Sequence, residues 1–147
     1  RVADHLELGF TGNYTDSELV ESVSNIYAEG DPLDYVAQYG FSLWTNYSFN
    51  WSDHASGYVR LDYNRQGKAH SRNRSFDVPS LGFEYHGTSD VIDMLNARVG
   101  WERESWTMAL YGKNLLDDEG FLGPDGFQLV SARPQPRTIG FNVGYSF

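Results

Sequence analysis

Apolar side chains recur at every second position along most of the chain, a period that predicts β-strands rather than helices. The pattern is clearest at the end of the sequence, where five apolar residues alternate with Thr, Gly, Asn and Ser. Trp44 is an exception, because it falls on the otherwise polar face of its segment. The six predicted strands cover residues 6–14, 41–51, 58–64, 95–102, 106–111 and 138–147.

The connections between these strands alternate in length. Residues 52–55 and 103–105 form two tight turns, whereas residues 16–38, 66–93 and 117–136 form long connections rich in Gly, Pro, Asp and Ser. Short connections on one side and long ones on the other predict an antiparallel up-and-down meander. Outer-membrane β-barrels have short turns at one membrane surface and long loops at the other.

Aromatic residues border the two short turns. Trp51, Trp101 and Trp106 lie beside them, and Tyr145 and Phe147 end the last segment on the same side. Trp and Tyr collect at bilayer interfaces, where one end of the ring is apolar and the other is hydrated. The three tryptophans therefore predict an interfacial girdle on a lipid-facing sheet, in preference to the rim of a soluble β-core.

The amino-acid composition excludes several kinds of site and partner. The 147 residues contain 11 Lys and Arg against 20 Asp and Glu, a net charge of −9, and no Cys. The lack of Cys excludes disulfides and Cys-based metal sites, and the acidic balance argues against nucleic acid as a partner. No apolar run approaches the about 20 residues of a membrane-spanning helix. The chain opens on Arg1 without a signal peptide, so we expect one domain that is a fragment or a mature form.

No catalytic or metal-binding constellation is expected. The four His residues are scattered without ligand spacing. Ser52, Asp53 and His54 are neighbours within one tight turn and do not form a triad. The acidic run at residues 117–119 lacks the calcium-loop pattern. The sequence therefore predicts a protein that is not an enzyme and needs no cofactor.

The last predicted strand ends on an aromatic residue that follows apolar residues at alternate positions. Phe141, Val143, Tyr145 and Phe147 form this series. It resembles the terminal signal by which outer-membrane barrels are recognised for assembly. Such a strand suits an edge that pairs with a partner while its face meets lipid. We interpret the four residues as an assembly signal.

Two longer segments resemble one family. Residues 95–117 contain two strands joined by a short turn and close on Asn-Leu-Leu-Asp, which looks like the penultimate hairpin of TonB-dependent outer-membrane receptors. The Pro-Arg-Thr sequence of residues 136–138 resembles the start of their last strand. Residues 13–19 are similar to a stretch that often follows an earlier strand. The resemblance spans nearly the whole chain apart from its loops.

That resemblance implies a barrel of about 22 strands around an N-terminal plug domain, in the bacterial outer membrane. The family takes up scarce ligands such as an iron-siderophore, cobalamin, haem or a glycan, with energy supplied through TonB. Residues 1–147 would be the C-terminal barrel segment, without the plug. The implied partners are outer-membrane lipid, the plug and remaining strands of the parent chain, TonB through the missing N-terminal part, and a small-molecule ligand such as a metal chelate.

Ligand contacts are expected in the long connections, since loops generally carry binding residues. Tyr27 and Tyr35 lie in an acidic first connection, and Arg72 and Arg74 lie in a basic second one. Because Arg pairs well with anionic groups, these four residues are candidate ligand contacts. Solvated loop charge is the competing interpretation.

Two other architectures stay open. A complete outer-membrane barrel of about eight strands, with a structural or adhesive role, fits the length. It requires a further hairpin within residues 75–86. A soluble β-barrel that binds an apolar ligand inside is the second alternative. A plug domain upstream of Arg1 would distinguish the receptor fragment from both.

Overall fold

The computed structural model of the protein describes residues 5–22, 26–123 and 132–147. Its strands are β1 (Leu6–Tyr14), β2 (Tyr39–Ser52), β3 (Ala55–Gln66), β4 (His70–Ser71), β5 (Gly87–Thr88), β6 (Ile92–Arg103), β7 (Trp106–Lys113) and β8 (Thr138–Tyr145). Six of them form one antiparallel sheet in the order β1-β2-β3-β6-β7-β8. The predicted all-β meander of six strands is therefore confirmed.

The register places the apolar positions of all six strands on one face. One row crosses the whole sheet, because residues that are paired across antiparallel strands share a face. It consists of Leu6, Tyr47, Val59, Val99, Leu110 and Phe141. Most of these side chains are exposed, Phe141 to 76%. The described residues thus supply an amphipathic sheet without a second layer on its apolar face.

The two tight turns form as predicted. Asp53 and His54 connect β2 to β3, and Glu104 and Ser105 connect β6 to β7. Glu104 has a positive φ of 51°, and a β-bulge lies at the end of β2. The described parts of the long connections all lie at the opposite end of the sheet, which confirms the predicted alternation.

The second long connection has local structure of its own. Strands β4 and β5 pair with each other, and two short 3-10 helices span Arg74–Phe76 and Pro79–Leu81. An isolated bridge joins Val78 and Phe83. Residues 75–86 therefore do not form the membrane-length hairpin that an eight-stranded barrel requires.

Buried apolar side chains are few in the described residues and lie mainly near the loops. They are Ala69, Tyr85, Ile92 and Ala109. A soluble domain rarely leaves a large continuous apolar surface uncovered. Strands β1 and β8 each pair on one side only, so the sheet has two open edges. Among the described residues, no helix has the length and apolar character needed to cross a membrane.

Candidate functional site

The aromatic residues that border the short turns gather at one end of the sheet. Trp106 and Tyr145 face each other on β7 and β8, with ring centroids 4.8 Å apart. Tyr145 also contacts Phe147 edge-on at 5.1 Å. The ring of Trp51 lies 5.4 Å from that of Phe49. These rings form a band at the short-turn end of the apolar face.

Trp101 belongs to the same region. It lies opposite Gly57 on β3 and Met108 on β7, and it is half-buried. Trp51 and Trp106 are 69% and 46% exposed. The structure therefore brings the three tryptophans to one end of the sheet, while their role as an interfacial girdle stays a prediction.

The proposed assembly residues lie on the outer strand β8 or just beyond it. Phe141 and Val143 are exposed on the apolar face, opposite Leu110 and Met108 of β7. Phe147 follows the end of β8 and is fully exposed. The alternation predicted from the sequence is present, and the assembly role itself stays a prediction.

Aromatic side chains on the polar face lie across glycines of neighbouring strands. Trp44 is opposite Gly9, and a Cβ added at Gly9 would overlap the indole ring. The arrangement occurs twice more, with Tyr58 over Gly100 and Tyr111 over Gly140. An aromatic ring that covers a glycine shields backbone that would otherwise be exposed. This explains why Trp44 departs from the alternation.

Charged side chains occupy the middle of the polar face. Arg60 binds Asp62, two residues further along β3, through hydrogen bonds of 2.7, 2.9 and 3.2 Å. Its guanidinium also lies 5.7 Å from the ring centroid of Trp44. Arg98 lies directly opposite Arg60 and donates its Nε hydrogen to the Tyr58 hydroxyl at 2.7 Å. The Asp62 carboxylate thus balances the charge of Arg60, whereas Arg98 is hydrogen-bonded to the Tyr58 hydroxyl.

An ion pair joins the first and second long connections. The two Nη atoms of Arg74 bind the two carboxylate oxygens of Asp31, with Nη2 to Oδ1 at 2.9 Å. Asp31 is 8% exposed, and its carboxylate also accepts the backbone N–H of Ala28 at 2.7 Å. The Arg74 guanidinium holds the pKa of the Asp31 carboxyl below its usual range.

Asp34 makes a second link between these connections. Its carboxylate accepts hydrogen bonds from the Tyr27 hydroxyl at 3.0 Å, the Ser71 hydroxyl at 3.1 Å and the backbone N–H of Arg72 at 3.0 Å. The hydrogen bond to Asp34 raises the pKa of Tyr27. Asp34 therefore binds Tyr27 of its own connection and both Ser71 and Arg72 of the second.

The side chain of Arg72 is buried within the second connection. Both of its Nη atoms bind the Asp77 carboxylate, at 2.7 and 3.0 Å, and Nη1 also donates to the Tyr85 carbonyl at 3.1 Å. The Arg72 guanidinium lowers the pKa of Asp77. Asp77 also accepts the Tyr85 backbone N–H at 2.7 Å. Arg72 and Arg74 of the second connection are thus both paired with carboxylates.

The structure brings together three of the four candidate ligand residues: Tyr27, Arg72 and Arg74. Tyr35 follows Asp34 in the first connection, is 54% exposed and has a positive φ of 63°. Its backbone N–H donates to the His70 carbonyl at 3.0 Å. Sequence reasoning missed their acidic partners, although an acidic first connection beside a basic second one was the available signal. The role of the four residues in ligand binding stays a prediction.

Asn114 is the most buried polar residue at the loop end, with 1% exposure. Its Nδ2 donates to the carbonyls of Asp118 and Gln135 at 3.0 and 2.9 Å, and its Oδ1 accepts the Asp118 N–H at 3.0 Å. Its own N–H donates to Oδ1 of Asn96 at 3.0 Å. Asn114 therefore closes β7 by bonding nearby backbone.

Asp117 connects the two sequence motifs near the end of the chain. Its carboxylate binds Nη2 of Arg137 at 2.5 Å and the backbone N–H of Arg137 at 3.2 Å. The Asn-Leu-Leu-Asp sequence thus holds the Pro-Arg-Thr sequence at the start of β8. These motifs are explained by strand closure and need no ligand.

The family comparison agrees with this geometry. A family model described as TonB dependent receptor-like, beta-barrel, matches residues 2–115, more than half of the chain. The chain belongs to the TonB-dependent receptor family. Neither a curated protein nor a solved structure matches it.

Membership makes the sheet a segment of the barrel wall of a TonB-dependent receptor. The matched residues include β1 to β7, and β8 continues the same sheet along β7. In outer-membrane barrels, apolar side chains face lipid and polar ones face the interior. TonB-dependent receptors are outer-membrane transport proteins, and the two faces of this sheet have the chemistry that such a wall requires.

Proposed function

We propose that the chain is the C-terminal barrel segment of an outer-membrane receptor that takes up a scarce ligand such as an iron-siderophore, energised through TonB. The uncovered apolar row across all six strands is the observation that best supports this proposal. Exposing such a row to water would be unfavourable, whereas a lipid boundary accepts it. Transport and not catalysis is the proposed activity.

Each surface of the segment then has one role. The apolar face contacts outer-membrane lipid, and the polar face lines the lumen around the plug domain of the parent chain. The tryptophans at the short-turn end mark the periplasmic interface, where TonB engages the missing N-terminal part. The long connections lie on the cell exterior and help to bind the ligand.

A basin at the loop end of the polar face supports ligand binding there. It measures about 950 Å³ and lies between the strands and the long connections. Tyr35 of the first connection, and Leu122 and Pro134 of the third, contribute to its walls together with strand residues such as Asn13. Tyr35 is therefore the proposed ligand contact among the four candidates, because its residue lines this basin whereas Tyr27, Arg72 and Arg74 do not.

The proposal is tested in a strain that lacks the parent gene. Uptake of labelled ferric siderophores, cobalamin, haem and oligosaccharides is measured with and without TonB. We expect uptake of one of these ligands to be lost in the deletion strain and after TonB depletion, and restored by the full-length gene. Unchanged uptake of every ligand in the deletion strain would contradict the proposal.

The Tyr35→Ala variant of the full-length receptor examines the loop contact separately. We expect weaker binding of the transported ligand, with an unchanged amount of receptor in the outer membrane. The matched control is Tyr14→Ala, since Tyr14 is exposed and lies at the end of β1. Equal ligand affinity in the wild type and in Tyr35→Ala would remove Tyr35 from the binding site and leave the transport proposal intact.

A further inference from the structure

Two arginines stand directly opposite each other in the middle of the polar face. Arg60 of β3 pairs in register with Arg98 of β6. Opposed residues on one face of an antiparallel pair have Cβ atoms about 4.5–5.5 Å apart, and like charges there are destabilising. The sheet needs a compensating anion at this point.

The sheet itself compensates only the first of these arginines. Asp62 binds Arg60 through both carboxylate oxygens. Arg98 bonds the neutral Tyr58 hydroxyl, and no carboxylate of residues 5–22, 26–123 and 132–147 lies within 4.0 Å of its guanidinium. The two other polar-face carboxylates, Glu7 and Glu102, belong to this range and are not paired with Arg98.

An open basin of about 700 Å³ adjoins Arg98. Its charged lining consists of Arg60, Arg98, Lys113 and Asp62. The other polar residues that line it are Asn96, Tyr111, Asn114, Gln135 and Asn142. Within the described part of the chain, Lys113 also has no carboxylate within 4.0 Å. Three cations against one carboxylate leave the basin positive. A planar guanidinium matches a carboxylate through two parallel hydrogen bonds.

We propose that Arg98, supported by Lys113, receives a carboxylate side chain of the plug domain that fills the lumen. This inference rests on the proposed function, which supplies the plug. Arg98 lies near the middle of β6, at a depth where ionisable groups in membrane proteins are paired. Because Arg60 and Arg98 are paired in register within the sheet, their repulsion does not require a bound ligand. A resident protein carboxylate offsets it continuously, whereas a transported ligand would leave it uncompensated between transport events.

Zero-length coupling in the full-length receptor tests this contact in outer-membrane preparations without added ligand. A carbodiimide joins an amine to a carboxylate as an amide with loss of water, so it couples only groups in direct contact. Arg98→Lys places an amine at the proposed contact and keeps its charge. We expect mass spectrometry to find an amide between position 98 and an Asp or Glu of the plug, several-fold above the untreated sample.

Arg60→Lys is the matched control, because the same treatment should couple position 60 to Asp62 of its own strand. Coupling of position 98 only to Asp62, Glu7 or Glu102, or to no carboxylate, in an assembled receptor with a plug would overturn this inference and leave the proposed function standing. Coupling only to an added carboxylate ligand would overturn it as well. A parent gene that encodes no plug would overturn both proposals. If Arg98→Lys does not assemble, the same coupling is carried out on the unaltered receptor. An amide between Lys113 and a plug carboxylate would then support the inference, and its absence would overturn it.

Discussion

The indole of Trp44 lies across Gly9 on the neighbouring strand, in the space that a side chain at position 9 would occupy. The ring also lies 5.7 Å below the guanidinium of Arg60, within the range of a cation–π interaction. Trp44 therefore fits on the polar face because Gly9 has no side chain on one side of the ring and the Arg60 guanidinium lies on the other.

Replacing this glycine is expected to weaken the barrel. Gly9→Ala in the full-length receptor places a Cβ inside the Trp44 ring, so the indole must move. Overpacking of this kind typically costs about 1–3 kcal/mol. The measurement is the urea midpoint of unfolding, together with the folded fraction on semi-native electrophoresis.

Gly123→Ala is the matched control, because no atom of the residues that the structure describes lies within 4 Å of a Cβ at that position. The double variant Gly9→Ala with Trp44→Ala should regain part of the lost stability, since the smaller side chain removes the overlap. If the Gly9→Ala receptor were as stable as the wild type, the Trp44 ring would have moved without lowering the stability of the barrel.

Asn114, which directly follows β7, is expected to be sensitive to substitution. Asn114→Ala removes three side-chain hydrogen bonds. It also places Ala at a positive φ of 47°, a backbone conformation that Asn tolerates better than Ala does. Lost hydrogen bonds and left-handed backbone together predict a loss of about 2–4 kcal/mol in the free energy of unfolding. Urea unfolding of the purified receptor measures it.

Asn114→Gly separates the two causes. It accepts the positive φ but supplies no side-chain bonds, so its stability should fall between those of the wild type and Asn114→Ala. If Asn114→Gly matched the wild type, the side-chain bonds would contribute nothing to closing β7.

The ion pair between Asp31 and Arg74, which joins the first two long connections, is expected to weaken only at acidic pH. Because Arg74 lowers the pKa of Asp31 in the folded receptor, this pair contributes its full stability above the ordinary Asp pKa of about 3.9. The contribution is lost as the pH falls through the lower, folded value. Amide exchange of Ala28 and Arg74, corrected for intrinsic rates, should be flat from about pH 8 to 5 and accelerate below about pH 4.

Asp31→Asn supplies the comparison for this experiment. The amide cannot form the ion pair, so both reporter amides should exchange faster than in the wild type at neutral pH and show little further change in acid. Acid acceleration of equal size in the two receptors would assign the pH dependence to another carboxylate, such as Asp77.

Phe147→Ala in the full-length receptor is expected to lower its amount in the outer membrane several-fold. The residue is fully exposed beyond β8 and contacts only the edge of Tyr145 among the described aromatic pairs, so the loss should arise from assembly and not from packing. Quantitative immunoblots of outer-membrane fractions measure it. Phe121→Ala, an exposed aromatic outside the strands, should leave the amount unchanged, and equal amounts of all three receptors would argue against an assembly signal.

The strands could be predicted because alternation depends on each residue's immediate neighbours. Their loop ends were less predictable, as β6 shows by beginning at Ile92 rather than residue 95. Asp93 interrupts the apolar alternation there, yet it is held by the Tyr63 hydroxyl at 2.6 Å and by Arg65 at 3.3 Å. Cross-strand polar pairs of this kind leave no periodic signal.

The ion pairs between the long connections could not be predicted by the same means. Asp31 and Arg74 are 43 residues apart, and no local pattern selects one carboxylate among several. Opposite charge in two connections was visible in the sequence, but which groups would be neutralised depends on the folded path. Trp44 was visible only as an exception, because its explanation lies in Gly9 on another strand.

The order of strands in the sheet is also their order along the chain, and this has a kinetic consequence. Closing a short loop costs less conformational entropy than closing a long one, so the hairpins β2–β3 and β6–β7 should form before the pairings that span long connections. Local contacts generally form faster than distant ones. The barrel segment would then form from two early hairpins. The slow steps would be the pairing of β3 with β6, which spans residues 67–91, and the later addition of β1 and β8.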